Sequence, residues 1–431
     1  MWFGLYVLIR PVDRKEFEER TFPHAYDVLI YQKDSHVYAK DRNGNVICSN
    51  SPTACIQEAI DNIIDLGGGY IFIMKGTYYI NRTINIGSKD IMREYIYIDG
   101  SKPVLVPTGD FPMFNIINIT QSLLGNIYIY DINNVVSRNS FAIIVDSISY
   151  TELFNISINN YGSGIQLKSS IPYNTTRMST LRNIRIIQPK FRGIEVWANV
   201  HDTSFESISV ESPGENGITF DHTLNALPDM DISGGNQMTN IIVLLAGGIG
   251  IYIVDWSELF ATNVITDSNT LDGLNITSVN SSPQRLFFYN LWSSMNRGIG
   301  INLNGSSSFP IQDVYIYGVS RFNSVGVQSN YAYAYMVLML NNNTTQTNIS
   351  NSSIIIKGLN TENSGQATIP ANTTSITVNH RLICAPSKVL VTPLGQPPGQ
   401  LWISNITSTS FNINISTAPT ADLPVAWYAE C

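Results

Sequence analysis

Between residues 155 and 303 the chain repeats one phrase six times: a polar residue opens a short alternating apolar run, and about ten residues later a glycine opens a second one. Asn155-Ile156-Ser157-Ile158 is followed by Gly164-Ile165-Gln166-Leu167, and Asn183-Ile184-Arg185-Ile186 by Gly193-Ile194-Glu195-Val196. Ser207, Asn240, Asn263 and Asn290 open the later first strokes, and Gly217, Gly250, Gly273 and Gly300 the later second strokes. The glycines are 29, 24, 33, 23 and 27 residues apart, the period of a stacked repeat. Period-2 alternation predicts strands with one buried face. Two short strands per repeat, with no helical stretch between them, exclude βαβ units. Stacked in parallel at ~4.8 Å, such strands pile their isoleucines into a continuous core. The fold class expected is all-β, a right-handed parallel β-helix; a β-sandwich with irregular loops is the alternative. The glycines suit a corner needing positive φ or close backbone approach. The leading asparagines suit a bend or a ladder of stacked amides.

A solenoid end needs a cover, and residues 52–66 predict a capping helix. Ser51 is the expected N-cap, Pro52 the first helical position and Gly67 the terminator. Ile56, Ala59, Ile60, Ile63 and Ile64 make one apolar stripe. Ile56-Gln57, Ala59-Ile60-Asp61, Gly67-Gly68-Gly69-Tyr70-Ile71-Phe72-Ile73 and Gly76-Thr77-Tyr78 together resemble the start of the pectate-lyase-like β-helix superfamily, with Met74 where proline is usual. That superfamily holds polysaccharide lyases, glycoside hydrolases and viral tail spikes, so the resemblance implies a fold and leaves the reaction open.

The 431 residues divide into an N-terminal hairpin region (1–45), the β-helix with its cap (46–360), a linker (361–365) and a small C-terminal β domain (366–431). Asn341–Ser353 reads as a low-complexity, exposed stretch. The last domain carries six short alternating segments between turns. Ala367-Thr368-Ile369-Pro370-Ala371 and Trp427-Tyr428-Ala429-Glu430 look like the C-terminal β module of tail-fibre proteins. A β-helix joined to such a module resembles host-attachment spikes of archaeal viruses, the spindle-shaped type above all. The resemblance implies a virion-surface location and a homotrimer. It also implies a host glycan or glycoprotein as partner, with other virion proteins held through the N-terminal region. Trp2–Ile9 is apolar but lacks a basic leader and cleavage site, and is far too short to span a membrane. It reads as a particle-docking element or an ordinary first strand.

Composition narrows the partners. Only 13% of residues are charged and the net charge is −8, so a general nucleic-acid surface is not expected. Four cysteines form two local pairs, Cys48–Cys55 and Cys384–Cys431, which imply an oxidising or extracellular setting or a hyperthermophilic source. No CxxC spacing or His cluster calls for a metal, and no cofactor is expected. Fourteen Asn-x-Ser/Thr sequons include Asn155, Asn275, Asn343, Asn348 and Asn405 as glycosylation candidates.

For chemistry, Glu195, Asp221 and Asp255 lie two, four and five residues after their coil's glycine, close enough in offset to stack into one cleft. Adjacent coils at ~5 Å and alternate coils at ~10 Å reach both glycosidase geometries. His201-Asp202 and Asp221-His222 supply acid/base partners, and Asp229 and Asp231 could join Asp221 around calcium. Trp197, Trp256 and Trp292, with His222, are the candidate glycan contacts; tryptophans are more often packing. The polygalacturonase Asp-Asp and Arg-x-Lys signatures are missing, and Asp41 and Asp99 read as turn residues. The outward positions Gln166, Glu195, Thr219, Tyr252, Asn275 and Asn302 form a mostly neutral row, which favours holding sugar over cutting it. The alternative is a polysaccharide-degrading hydrolase or lyase.

Overall fold

The computed structural model describes residues 26–224, 234–357, 361–382 and 384–431. The glycine strokes stack in chain order into an eleven-stranded parallel sheet, from Ile84–Ile86 to Thr345–Ser350. The asparagine strokes belong to an eighteen-stranded sheet whose coils also pair in parallel. Register is in step: Ile156, Ile184, Ile208 and Ile241 lie side by side, as do Ile165, Ile194, Ile218 and Ile251. All eight are at most 1% exposed. At ~1.5–3 kcal/mol per buried aliphatic side chain, these columns hold the rod together. The chain is a parallel β-solenoid, and parallel pairing throughout the repeat rules out the sandwich there.

In each coil the first strand begins earlier than the two-stroke phrase predicts. The strand Glu152–Asn159 starts three residues before Asn155, and Thr180–Ile187 three before Asn183. Asn155, Asn183, Ser207, Asn240, Asn263 and Asn290 all sit in the left-handed region, φ 50–60°, and kink the strand into two straight halves. Asparagine tolerates that conformation better than most residues. The exposed amides then stack outside: Asn155 Nδ2 donates to Asn126 Oδ1 (2.9 Å), Asn183 to Asn155 (3.0 Å), Asn263 to Asn240 (3.0 Å) and Asn290 to Asn263 (2.9 Å). Bend and ladder are the same device. Asp99 starts it, accepting from Asn126 (2.7 Å), and Asp41 accepts from Asn43 and Asn45 in its turn.

The glycines serve close approach, since none of those at 164, 193, 217, 250, 273 and 300 has positive φ. A Cβ on Gly193 would overlap the Gly217 carbonyl oxygen and meet Val210 Cγ1 at 2.5 Å. Stacked backbones leave no room for a methyl group there.

The cap differs from expectation at its start. The helix spans Ile56–Asp65, and Ser51-Pro52-Thr53 form a turn ahead of it. Ala54 and Cys55 have φ of 50° and 60°, incompatible with helix, and the Cys48–Cys55 disulfide pins them there. Ser51 Oγ still accepts the Cys55 amide (2.8 Å), capping a turn instead of the helix. The far end follows expectation: Gly68 N–H donates to Ile63 O (2.8 Å) and Gly67 N–H to Ile64 O (3.1 Å), a Schellman motif. Ahead of the cap, Val28–Lys33 and His36–Asp41 form a hairpin whose first strand pairs with Ile71–Ile73. Trp2–Ile9 lies outside the described residues.

Two further differences concern the C-terminal part. Thr345–Ser350 pairs with Val325–Asn330 as the last strand of the short sheet, so the low-complexity stretch is a solenoid rung. Glu362–Gly365, read as linker, pair with Glu430–Trp427 in the strand Glu362–Ile369. The C-terminal module consists of two three-stranded antiparallel sheets around Ile369, Phe411, Ile413, Val425 and Trp427, with the Cys384–Cys431 disulfide.

Candidate functional site

The short-strand sheet carries the predicted outward row: Gln166 beside Glu195, Glu195 beside Thr219, then Tyr252, Asn275 and Asn302. The row is neither open nor a free ladder of acceptors. Gln166, Glu195, Thr219, Asn275 and Asn302 are each under 10% exposed. Turns leading into the short strands reach over them. Arg192 is ion-paired with Glu195 Oε1, Gln166 Nε2 donates to Glu195 Oε2 (3.1 Å), and Asp272 Oδ2 accepts from Asn275 (2.8 Å) and Asn302 (2.9 Å). Arg192 also reaches Glu215 (3.5 Å), which Arg138 holds from below (3.3 Å). A carboxylate buried against a guanidinium and an amide is held fixed in place.

Two residues further along each strand lies a second row, buried at Asp146 and half-buried at Lys168, Trp197 and Asp221. Asp146 pairs with Lys168, and Trp197 with Asp221. The Lys168 ammonium lies 5.5 Å from the Trp197 ring centre, a cation–π contact, and 4.0 Å from Asp146. Asp221 is half-buried and accepts from Thr223 N (2.9 Å) and Oγ1 (2.6 Å). Tyr252, on the next coil, is half-buried. Burial raises its pKa above 10.0, the Asp221 and Asp255 charges push the same way, and a Thr277 hydrogen bond opposes them. The Tyr252 phenol therefore lies within the field of both carboxylates.

The third predicted carboxylate has different work. Asp255 is 4% exposed at a left-handed corner, φ 52°, and accepts the Val279 and Asn280 amides at 2.7 Å each. That pattern is a turn cap, with both oxygens occupied by backbone. The tryptophans separate likewise. Trp256 is fully buried against Phe220 (5.2 Å) and offers no ring face, because its corner points into the core. Trp292 belongs to the long-strand sheet, under the Arg321 guanidinium (4.2 Å). Only Trp197 shares the short-strand face with Asp221. His222 follows Asp221 and stands edge-on to Trp256 (6.3 Å).

His201 and Asp202 lie at a different corner, where Thr176–Arg177 pairs with Val200–His201. Thr175 Oγ1 is 2.8 Å from His201 Nε2, and Nδ1 is 2.9 Å from Asp202. Thr175 is 4% exposed, so this chain ties neighbouring loops and offers no accessible nucleophile. Asp229 and Asp231 lie outside the described residues. Of the sequons, Asn343 is 8% exposed and Asn275 9%, their amides engaged by Gln346 and Asp272, and both Asn155 and Asn348 sit in ladders. Asn405 is exposed in the turn between Leu401–Ser404 and Ser410–Ile415.

The sequence reading missed Lys168 and Arg192. Both were findable: Arg192 immediately precedes the corner glycine, and Lys168 lies four residues after Gly164, the offset of Asp221 from Gly217.

No family model and no curated protein matches the sequence. Among solved structures the fold resembles the hyperthermoactive exopolygalacturonase from Thermotoga maritima: TM-score 0.50, 9% identity, covering 71% of this chain and 88% of that one. The Agl-KA catalytic domain aligns at TM-score 0.49 and 14% identity over 70% of this chain, which spans 65% of that domain's length. Tailspike gp49 of Acinetobacter baumannii bacteriophage Fri1, a capsular polysaccharide depolymerase, aligns at TM-score 0.42 and 10% identity over 88% of this chain and 82% of that one. The structural neighbours are pectate-lyase-like β-helix proteins, and at these identities the likeness is one of fold.

Proposed function

We propose that the chain is a homotrimeric virion-surface attachment protein, of the kind resembled in archaeal viruses. It holds a host-surface glycan or glycoprotein on the short-strand face around Lys168, Trp197, Asp221 and His222, and meets other virion proteins through its N-terminal region. The observation that carries this reading is the state of Glu195, locked by Arg192 and Gln166 at 2% exposure. A cation, an aromatic ring and a carboxylate remain on consecutive coils, a set suited to gripping hydroxyl-rich chains without the free carboxylate pair that cleavage requires. In binding assays on host-surface polysaccharide, Trp197→Ala should weaken capture at least tenfold while leaving the thermal transition in place; unchanged capture removes this face from the proposal.

A second reading, a polysaccharide-degrading enzyme, is supported by one feature. Glu195 and Asp221 are diagonal neighbours on adjacent coils, their backbones ~7–8 Å apart, a spacing compatible with the ~6.5–9.5 Å carboxyl separation of inverting glycosidases. If this reading holds, wild-type protein releases new reducing ends from the polysaccharide and Asp221→Asn abolishes the release. Capture without release supports attachment.

A further inference from the structure

The outer face of the long-strand sheet changes character at one coil. In the lower coils its outward columns carry Glu152, Arg182, Arg185 and Glu211, joined in the pairs Arg182–Glu152 and Arg185–Glu211. From Phe260 upward the same columns turn aromatic. Phe260, Phe287, Tyr315 and Tyr335 line up in register, Tyr289 and Tyr317 form the column beside them, and Ile242, Ile265, Trp292, Val319 and Met339 a third. Six rings of this face, including Tyr333, are 36–65% exposed. At ~150–250 Å² per ring they present roughly 500 Å², the size of a large apolar patch of the kind that is often functional. Together with the half-exposed Ile355 and Met339, the face approaches the ~800 Å² each partner gives to a standard interface.

The rings also decide what fits. Phe260 and Phe287 stack at 5.3 Å and 6°, and Phe287 and Tyr315 at 5.1 Å and 3°. Their flat faces are spent on one another along the rod, so they turn edges outward. A sugar needs a ring face; a second apolar surface packs well against edges. Charged residues of both signs border the patch, with the Arg285–Glu258 pair (3.0 Å) on one side and Arg321 over Trp292 on the other. An aromatic centre with an Arg-containing mixed-charge rim is the anatomy of a protein interface, and mixed charge suits self-pairing.

We infer that this aromatic face is where copies of the chain pack against one another. The inference adds a contact surface to the homotrimer proposed above and does not depend on glycan binding. The test is light scattering of the full chain after size exclusion. Wild type should be oligomeric; Tyr289→Glu with Tyr317→Glu should raise the dissociation constant roughly thirtyfold or more, while Thr180→Glu, in the column of Phe260 but well below it, leaves it unchanged. A monomeric wild type, or an oligomer indifferent to the aromatic substitutions, overturns the inference. Because an obligate assembly can unfold when split, hydroxyl-radical footprinting of wild type gives an independent reading. Scaled for residue type and for exposure in the single chain, Tyr289, Tyr317 and Met339 should be protected relative to Tyr173, which is 84% exposed. Equal labelling, or protection arising only when host polysaccharide is added, also overturns it.

Discussion

The lower and upper coils build the same corner from opposite chemistry. Where the long strand ends, the row just past each corner reads Tyr161, Pro189, Pro213 and Ala246 in the lower coils, all buried. In the upper coils it reads Asn269, Asn296, Asn323 and Asn343, also buried. The adjoining core column changes in step, from Ile158, Ile186, Val210 and Val243 to Thr266, Ser293 and Ser320. The upper asparagines form a closed chain: Asn269 Nδ2 donates to Asn296 Oδ1 (2.7 Å), Asn296 to Asn323 (2.9 Å) and Asn323 to Asn343 (3.1 Å). Ser293 and Ser320 hydroxyls accept from the same amides and donate to the carbonyls of Gly300 and Gly326. Backbone geometry is conserved across the switch because parallel stacking repeats it, and side chains need only fill the corner and satisfy one another. Polar filling depends on that network, and where the two fillings meet the buried Thr266 hydroxyl has no hydrogen-bond partner.

The largest expected effect strikes the element both halves share. Gly193→Ala places a methyl against the Gly217 carbonyl and Val210, and should cost about 3 kcal/mol or more, read as a fall in the denaturation midpoint. Gly300→Ala should cost a similar amount, since its Cβ would strike Ser320 Oγ. A tolerant response at either site breaks the claim that close approach selects the glycines. Next comes Asn296→Leu in the upper half, which strips partners from Asn269, Ser293 and Asn323 and should lose about 2–4 kcal/mol. Asn183→Ala on the outer ladder should be milder, about 1–2 kcal/mol, chiefly the strain of alanine at φ 54°. A loss for Asn183→Ala equal to that for Asn296→Leu would show that burial does not separate the two ladders.

The smallest effect is a pH response of buried phenols in the lower half. Tyr161 fills the corner where the upper coils have asparagine; burial raises its pKa above 10.0, and its hydroxyl donates to Phe111 O (2.6 Å). Tyr78, near the cap, is pushed by burial up to about 12. A phenol with a raised folded pKa contributes stability that is full below pH ~10 and falls as pH rises through the folded value, because the unfolded chain ionises first. Absorbance titration should show these phenols silent past pH 10 until the lower coils open, and Tyr161→Phe should remove part of that alkaline loss.

Much of the architecture was legible in the repeat. The inward isoleucines, the stacking period, the apolar stripe of the cap and six strands of the last module follow from patterns that burial imposes locally. The extra half-strand was also written there, as Leu153, Leu181, Phe205 and Met238 two residues before each kink residue, but the polar lead drew attention away from it. The candidate site was less legible. Glu195 reads as an outward carboxylate on the period-2 pattern, yet Arg192 folds back over it from the preceding turn. Asp255 lies one residue past the offset of Asp221, which pairs with Val254, and caps a corner instead.

By itself the sequence determined which residues face the core, because alternation and glycine spacing act within a few residues and any stacked coil must respect them. Tertiary structure alone decided what the outward positions do. Their surroundings come from neighbouring coils and from turns that let the repeat vary between 23 and 33 residues, so outward positions of one period-2 pattern leave Asp221 half-buried, bury Glu195 against a guanidinium, and gather Phe260, Phe287 and Tyr315 into one stacked face.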